Sequence, residues 1–342
     1  MTTDELKLRR LFGQHLLAPK DARTVLRDLC GMQSQFLSNA FHALRIRSAD
    51  FDEANPTGMM KNWTLRGTMH LFDESDLPLM LHRDRSHFLC PCDTLAGDEY
   101  ITTERKRHFA DLIVRSVREG IGEREALKRL CVEAGITEEE AQSVFNPWGG
   151  TIRALCEAGA ITHAVSERKA FVSCPAFEPM ERDEARLELA RRYFTHYGPA
   201  TVRDAAYFFS FGQAEIRQMF DKLPVQEISC EGKAHYYIEE TAQFEGEMPP
   251  CIFLAGFDPL MLGYQKQDSP FLPQEYLRGI FSLAGIVNPA ILLHGRVVGK
   301  WKEKNGKVEL TAFEPLSSAD RKLAAQEAER LFTPCSIRWQ QA

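Results

Sequence analysis

One local order of elements recurs along this chain and restricts how it can fold. Runs with helical spacing of apolar residues are followed by short strand-like runs around a tight turn. In the first stretch Ala22, Val25, Leu26, Leu29 and Cys30 fall at i, i+3, i+4, i+7 and i+8, which predicts a helix buried along one face. Asp21 is placed to cap its start and Gly31 to end it. Helix continues to about Arg45, Asn55-Pro56-Thr57-Gly58 reads as a linker, and Thr68–Phe72 as a strand. The second stretch has helices near 103–119 and 123–134, a turn at Pro147-Trp148-Gly149-Gly150, a helix at Thr151–Glu157 and a hairpin from Ile161 to Cys174. The third has helices near 183–196, 201–210 and 213–222, then strands at Val225–Cys230 and His235–Glu239 joined by Glu231–Ala234. Each copy spans about 70 to 90 residues, although the copies share little sequence. Helices followed by a strand pair read as a winged helix.

From Pro249 the texture changes to strands punctuated by Gly and Pro. Arg296–Trp301 and Val308–Phe313 flank Asn305-Gly306, a strong hairpin signal. A helix at Ser318–Phe332 closes the chain, with a Ser-x-x-Arg start instead of a capping box. The expected fold is therefore α+β: winged helices at 1–97, 98–180 and 181–248, and a β-rich, barrel-like domain at 249–342.

At 342 residues the chain exceeds one ordinary domain. No run approaches the roughly 20 apolar residues of a membrane span, and Met-Thr-Thr-Asp-Glu is not the start of a signal peptide. The expected compartment is the cytoplasm. Nine cysteines are scattered, which fits reduced thiols better than a disulfide framework. His82, His87, Cys90 and Cys92 could supply soft ligands, but Cys-Pro-Cys is not the usual zinc spacing, and no metal is expected.

A net charge of −6 argues at first against a nucleic-acid partner. Its distribution weakens the objection. Residues 1–50 carry eight Lys/Arg against five Asp/Glu, residues 251–342 carry eleven against nine, and the middle carries 23 against 34. The two ends could attract DNA weakly.

Four motifs carry the functional signal: Gln33-Ser34-Gln35, the run Asn62–Phe72 (Asn-Trp-Thr-Leu-Arg-Gly-Thr-Met-His-Leu-Phe), Gly256–Tyr264 (Gly-Phe-Asp-Pro-Leu-Met-Leu-Gly-Tyr) and Val287–Gly295 (Val-Asn-Pro-Ala-Ile-Leu-Leu-His-Gly). In that order and at those spacings the chain resembles the AlkZ-type (AlkZ/YcaQ-like) DNA glycosylases, built from tandem winged helices, over nearly its whole length. The resemblance implies three winged helices in a concave arrangement. It implies a monomer that hydrolyses the N-glycosidic bond of N-alkylated, cationic bases in double-stranded DNA, bulky adducts and interstrand crosslinks included, with no cofactor and no membrane association.

On that resemblance Gln33 and Gln35 are the catalytic pair. Extended backbone there would point both side chains the same way. Ser34 departs from the small aliphatic residue usual between them, and Gln35 separates the chain from the YcaQ-like branch, which has Asp in that place. No lysine adjoins the pair, so no lyase step is implied.

The candidate DNA contacts are Arg66, His70, Lys266, Asn288 and Lys300. Arg66 could meet a phosphate. His70 could face the site or cap a buried network, and Trp63 reads as core. Lys266 either reaches a phosphate or is solvated, and Asn288 before Pro289 reads as a turn residue bonded to its own backbone. Lys300, Lys302, Lys304 and Lys307 form the densest basic cluster, either a DNA rim or edge-strand protection against aggregation. Glu231–Ala234 takes the place of a DNA-entering wing but is short and mixed in charge. Two other functions remain open: a winged-helix transcriptional regulator, though its candidate recognition helices hold little beyond Arg45, Arg153 and Arg217, and an inactive scaffold.

Overall fold

The computed structural model describes residues 1–82, 95–146, 150–239 and 246–341. The chain divides into two compact units. One comprises Gln33–Leu37 and Ala54–Leu189; the other comprises Met1–Met32, Ser38–Glu53 and Ala190–Ala342. The class is α+β, as the alternation of helices and hairpins indicates.

The unit formed by Gln33–Leu37 and Ala54–Leu189 is organised on a five-stranded sheet. Its strands run in the order Met32–Gln33, Met69–Asp73, Met59–Trp63, Ile161–His163, Phe171–Ser173. Met59–Trp63 and Met69–Asp73 are antiparallel, with Lys61 opposite Leu71 and Trp63 opposite Met69. Lys61 is also paired with His163, which joins this hairpin to the next. Helices Thr103–Arg118, Arg124–Glu133 and Thr151–Glu157 lie where their periodicity predicted them. Their apolar faces, among them Phe109, Ile113, Leu127 and Leu155, enclose one core with Ile161 and Phe171 of the second hairpin. A further helix, Glu138–Val144, was not anticipated. It is too short for periodicity to reveal, but Thr137 and Glu140 form a capping box at its start. The expected turn at Pro147-Trp148-Gly149-Gly150 lies, through residue 149, outside the described residues.

The other unit draws on both ends of the sequence. Helix Thr3–Gly13 ends in a Schellman motif: the N–H of Leu16 donates to Leu11 O at 2.9 Å and that of His15 to Phe12 O at 2.9 Å. Helix Ala22–Asp28 begins at Asp21, whose carboxylate accepts the N–H of Thr24 at 2.9 Å. Its stop comes one residue earlier than Gly31 suggests, because Cys30 is itself left-handed (φ 57°). Helices Val202–Phe209 and Gln213–Phe220 pack with Tyr193, Phe194 and Tyr197 into an aromatic core, in which the Tyr193 and Tyr197 rings stack at 5.0 Å.

The C-terminal region is a five-stranded sheet in the order Ser336–Gln341, Lys307–Ala312, Arg296–Lys304, Ala290–Leu293, Cys251–Leu254. The region is β-rich, as expected, and its sheet is not closed into a barrel. The last strand pairs parallel to Lys307–Ala312 and lies at one edge. The Asn305-Gly306 hairpin forms as predicted, both residues having positive φ (52° and 73°) as a type I′ turn requires. Helix Ser318–Phe332 covers the sheet through Ala324 and Ala328. Its cap is Ser317, whose hydroxyl accepts from the N–H of Asp320, so the start is a Ser-x-x-Asp sequence one residue before the predicted Ser-x-x-Arg. No helix of the described residues is long and apolar enough to cross a membrane.

One ion pair joins the first fifty residues of this unit to the C-terminal region. Arg47 and Asp258, both fully buried, meet through two hydrogen bonds of 2.6 and 3.0 Å. Asp258 also accepts the backbone N–H groups of Ala255 and Leu260 at 3.2 and 2.9 Å. A buried charge that loses its partner is left without water or counterion. Asp258→Asn or Arg47→Met should therefore each lower unfolding free energy by about 3–5 kcal/mol, measured by urea denaturation. The double variant Arg47→Met/Asp258→Asn should cost less than the sum of the two, and strict additivity would show that the pair is not coupled.

Candidate active site

The Gln33-Ser34-Gln35 segment joins the end of an edge strand to helix Leu37–Arg45. Backbone pairing fixes its middle: the Ser34 N–H donates to the Met69 carbonyl at 2.8 Å. Ser34 is fully buried, whereas Gln33 is half-buried and Gln35 exposed. This alternation is that of an extended chain with one face inward, so both amides stand on the more accessible side. Phe36, which follows, is 45% exposed. The Ser34 hydroxyl has no hydrogen-bond partner among the described residues.

Met69, which holds Ser34, lies in the strand leading out of the Thr64–Thr68 loop. The loop is closed by Thr64 N–H to Thr68 O at 3.0 Å and turns through Arg66 and Gly67, both left-handed (φ 55° and 62°). His70 supports it from inside. Its Nδ1 donates to Thr68 O at 3.2 Å and lies 3.0 Å from the Thr64 hydroxyl. Burial, reinforced by the Arg66 charge, pushes the His70 pKa down to about 3. The ring is neutral and 3% exposed, so it holds the loop and is not presented to a phosphate. Arg66 is partly exposed at the turn.

Sequence reasoning missed the brace on the other side of this loop. The Arg153 guanidinium lies 4.4 Å from the centre of the Trp63 ring and pairs with Glu157 at 2.8 Å. Trp63 packs against the core, as expected. Asn62 holds the preceding strand by donating to Cys156 O at 2.8 Å. The run Asn62–His70 is thus largely a scaffold for the loop and for the carbonyl that pins Ser34. A Trp and an Arg separated by 90 positions give no local sign of their contact.

The remaining candidate residues belong to the other unit. Lys266 is partly buried, its ammonium 5.6 Å from the centre of the Phe281 ring. Asn288 does not bond its own backbone; its side chain donates to Gly279 O at 2.9 Å and closes the loop between them. Lys300 is partly exposed at mid-strand, opposite Thr311, and Lys302, Lys304 and Lys307 are exposed around the hairpin end. At the Glu231–Gly232 turn Lys233 pairs with Asp268 at 3.5 Å. His87, Cys90 and Cys92 of the cysteine-rich window lie outside the described residues.

The family model for AlkZ-like DNA glycosylases matches residues 26–333. The chain belongs to the AlkZ-like DNA glycosylase family. Among similar proteins is the interstrand DNA cross-link repair glycosylase of Streptomyces sahachiroi, 26% identical over 348 residues, covering 94% of this chain and 92% of that one. The solved structure of Streptomyces sahachiroi DNA glycosylase AlkZ superposes with a TM-score of 0.77 at 24% identity, covering 99% of this chain and all of the other. The AlkZ-like fold therefore extends over the whole molecule.

Two outcomes follow for the unit that carries the glutamines. Removing an unpaired buried hydroxyl relieves its desolvation cost, so Ser34→Ala should raise unfolding free energy by about 1 kcal/mol; a loss of similar size in urea denaturation would show that the hydroxyl has a partner. The second concerns pH. His163 is held down to about 4 by burial and the nearby Lys61, as His70 is to about 3. Both sit below the ordinary value of about 6.5, so their contribution is complete above that pH and is lost as pH falls toward 4. The urea midpoint should drop between pH 7.5 and pH 5, above the range in which carboxylates protonate. An unchanged midpoint would mean both rings titrate freely.

Proposed function

We propose that this protein is a monofunctional DNA glycosylase that hydrolyses the N-glycosidic bond of N-alkylated, cationic bases. Gln33 and Gln35 are the residues that hold the attacking water. The observation that carries this reading is the placement of their side chains on the accessible face of a segment pinned by a buried Ser34. Family membership and the activity named for the Streptomyces sahachiroi relative support it.

Amides suffice because of the substrate. Alkylation of a ring nitrogen makes the base cationic, so the leaving group departs without protonation. What remains is to place a water against the anomeric carbon and to stabilise an oxocarbenium-like sugar. Each carboxamide offers one acceptor and two donor hydrogens, so it can accept from the water while its N–H groups bond elsewhere. Holding that water in line supplies orientation. A carboxylate base would add roughly 10²–10⁴-fold, which a labile bond does not require. His70 takes no proton in this scheme, being neutral and turned into the loop.

In this reading the chain carries three winged helices in a concave arrangement and a C-terminal β-rich domain. Its candidate duplex contacts are Arg66 in one unit and, in the other, Lys266, Asn288 and Lys300 with its neighbouring lysines. A duplex held against one surface need not yield its base to a closed pocket, unlike the substrate of a base-flipping enzyme. Bulky adducts and crosslinks therefore fall within the substrate class. The regulator and scaffold alternatives gain no support from the family match.

Single-turnover release of base from 7-alkylguanine DNA should fall at least about ten-fold in Gln35→Ala and in Gln33→Ala, with unchanged circular dichroism. Wild-type rates in both variants would remove the glutamines from the reaction. Absence of base release by the wild type on alkylated duplex, together with enrichment of one motif from random duplex, would favour the regulator.

A further inference from the structure

In the unit built from both chain ends, three helices terminate around one point. His15 is the left-handed residue just past helix Thr3–Gly13, Asp28 is the last residue of helix Ala22–Asp28, and His196 is the last of helix Arg182–His196. His15 Nε2 lies 2.8 Å from Asp28 Oδ2, and His196 Nε2 lies 3.5 Å from Asp28 Oδ1. One donor atom from each of the three lies within 4.8 Å of the others. The imidazoles are 5.6 Å apart, centre to centre. All three residues line a cavity of about 900 Å³, with Arg9, Lys20, Thr24 and Tyr237 among the other walls.

We propose that His15, Asp28 and His196 bind a divalent first-row transition metal of the zinc class. Two imidazoles and a carboxylate form a donor set typical of such ions. Bonds of about 2.0–2.1 Å in tetrahedral array place donors roughly 3.3 Å apart, close to the two distances above. The negative ends of three helix dipoles, which favour a cation, converge there, against the positive charges of Arg9, Lys20 and Arg192 nearby. The Asp28 charge adds to the dipoles. At the left-handed position of the Schellman turn, where glycine is usual, the chain has His15, whose ring meets Asp28. The approach of the helix ends also depends on Gly13, where a Cβ would lie 2.6 Å from His196 O. With three protein ligands the fourth position faces the cavity and is open to water or an anionic oxygen.

Metal-free full-length protein, stripped with chelator and dialysed, should bind one Co²⁺ per chain, with visible d–d bands that Zn²⁺ displaces. Zn²⁺ but not Mg²⁺ should raise its melting temperature. His15→Gln, Asp28→Asn and His196→Gln, compared by calorimetry with Zn²⁺, should each weaken binding at least about ten-fold. Absence of the cobalt bands in wild type would overturn the proposal without reference to any variant. Undiminished Zn²⁺ affinity in those variants whose circular dichroism matches wild type would overturn it too. The readouts do not depend on base release, so they stand whether or not the glycosylase reading holds.

Discussion

The buried pair between Arg47 and Asp258 is the constraint on which the unit built from both chain ends depends. Two charges removed from water need hydrogen-bond partners where they are buried. Asp258 has four, from Nη1 and Nη2 of Arg47 and from the backbone N–H groups of Ala255 and Leu260, whereas Arg47 leaves its buried Nε without a partner among the described residues. The bond from Leu260 caps helix Pro259–Leu262, so one carboxylate sets both the direction of that helix and the docking of the N-terminal segment. Tyr264, at the end of the same motif, extends the connection. Its hydroxyl donates to Tyr197 O at 2.8 Å and accepts from Gln14 at 3.0 Å, and Arg10 lies 3.9 Å from the ring centre. The Gly256–Tyr264 run is thus an anchor that brings residues 10, 14 and 47 to the C-terminal region.

The four sequence motifs do unlike things in this structure. Gln33 and Gln35 present polar atoms outward. Asn62, Thr64 and His70 satisfy polar atoms inward, shaping the loop whose neighbour Met69 pins Ser34. Asp258 and Tyr264 bond the N-terminal segment to the C-terminal region. Motif spacing alone therefore does not separate residues that face outward from those that hold the frame.

Local physics made much of the fold legible in the sequence. The amphipathic helices of 103–118 and 124–133, the Asp21 cap and the Asn305-Gly306 hairpin each rest on interactions between near neighbours. The accessible side shared by Gln33 and Gln35 was readable from the two-residue period of extended chain. What could not be read depends on distance along the chain or on a shift of one residue. Arg47 and Asp258 are 211 positions apart. The Arg153–Trp63 contact joins a helix to a strand of another hairpin. The hydrogen bond of Asn288 differs from the expected one because a turn residue can bond a carbonyl nine residues away as easily as its own backbone. Strand Ser336–Gln341 pairs parallel at an edge, and neither alternation nor turn chemistry signals such a partner.

The composition of the two units also bears on how the chain is made. Residues 1–53 emerge from the ribosome well before residue 190, where the rest of their unit begins. At ordinary elongation rates of about 5–20 residues per second, that interval is on the order of ten seconds. During it Arg47 has no Asp258, and the apolar faces of the first helices have no C-terminal region to cover them. Residues 54–189 can meanwhile gather their own core, but Gln33–Leu37, which belong with them, are flanked on both sides by chain still awaiting its partners. Any event that stops synthesis before Asp258 is made leaves the segment bearing both glutamines tethered to an unfinished unit, and it is the early-made end that is then exposed to proteases and chaperones.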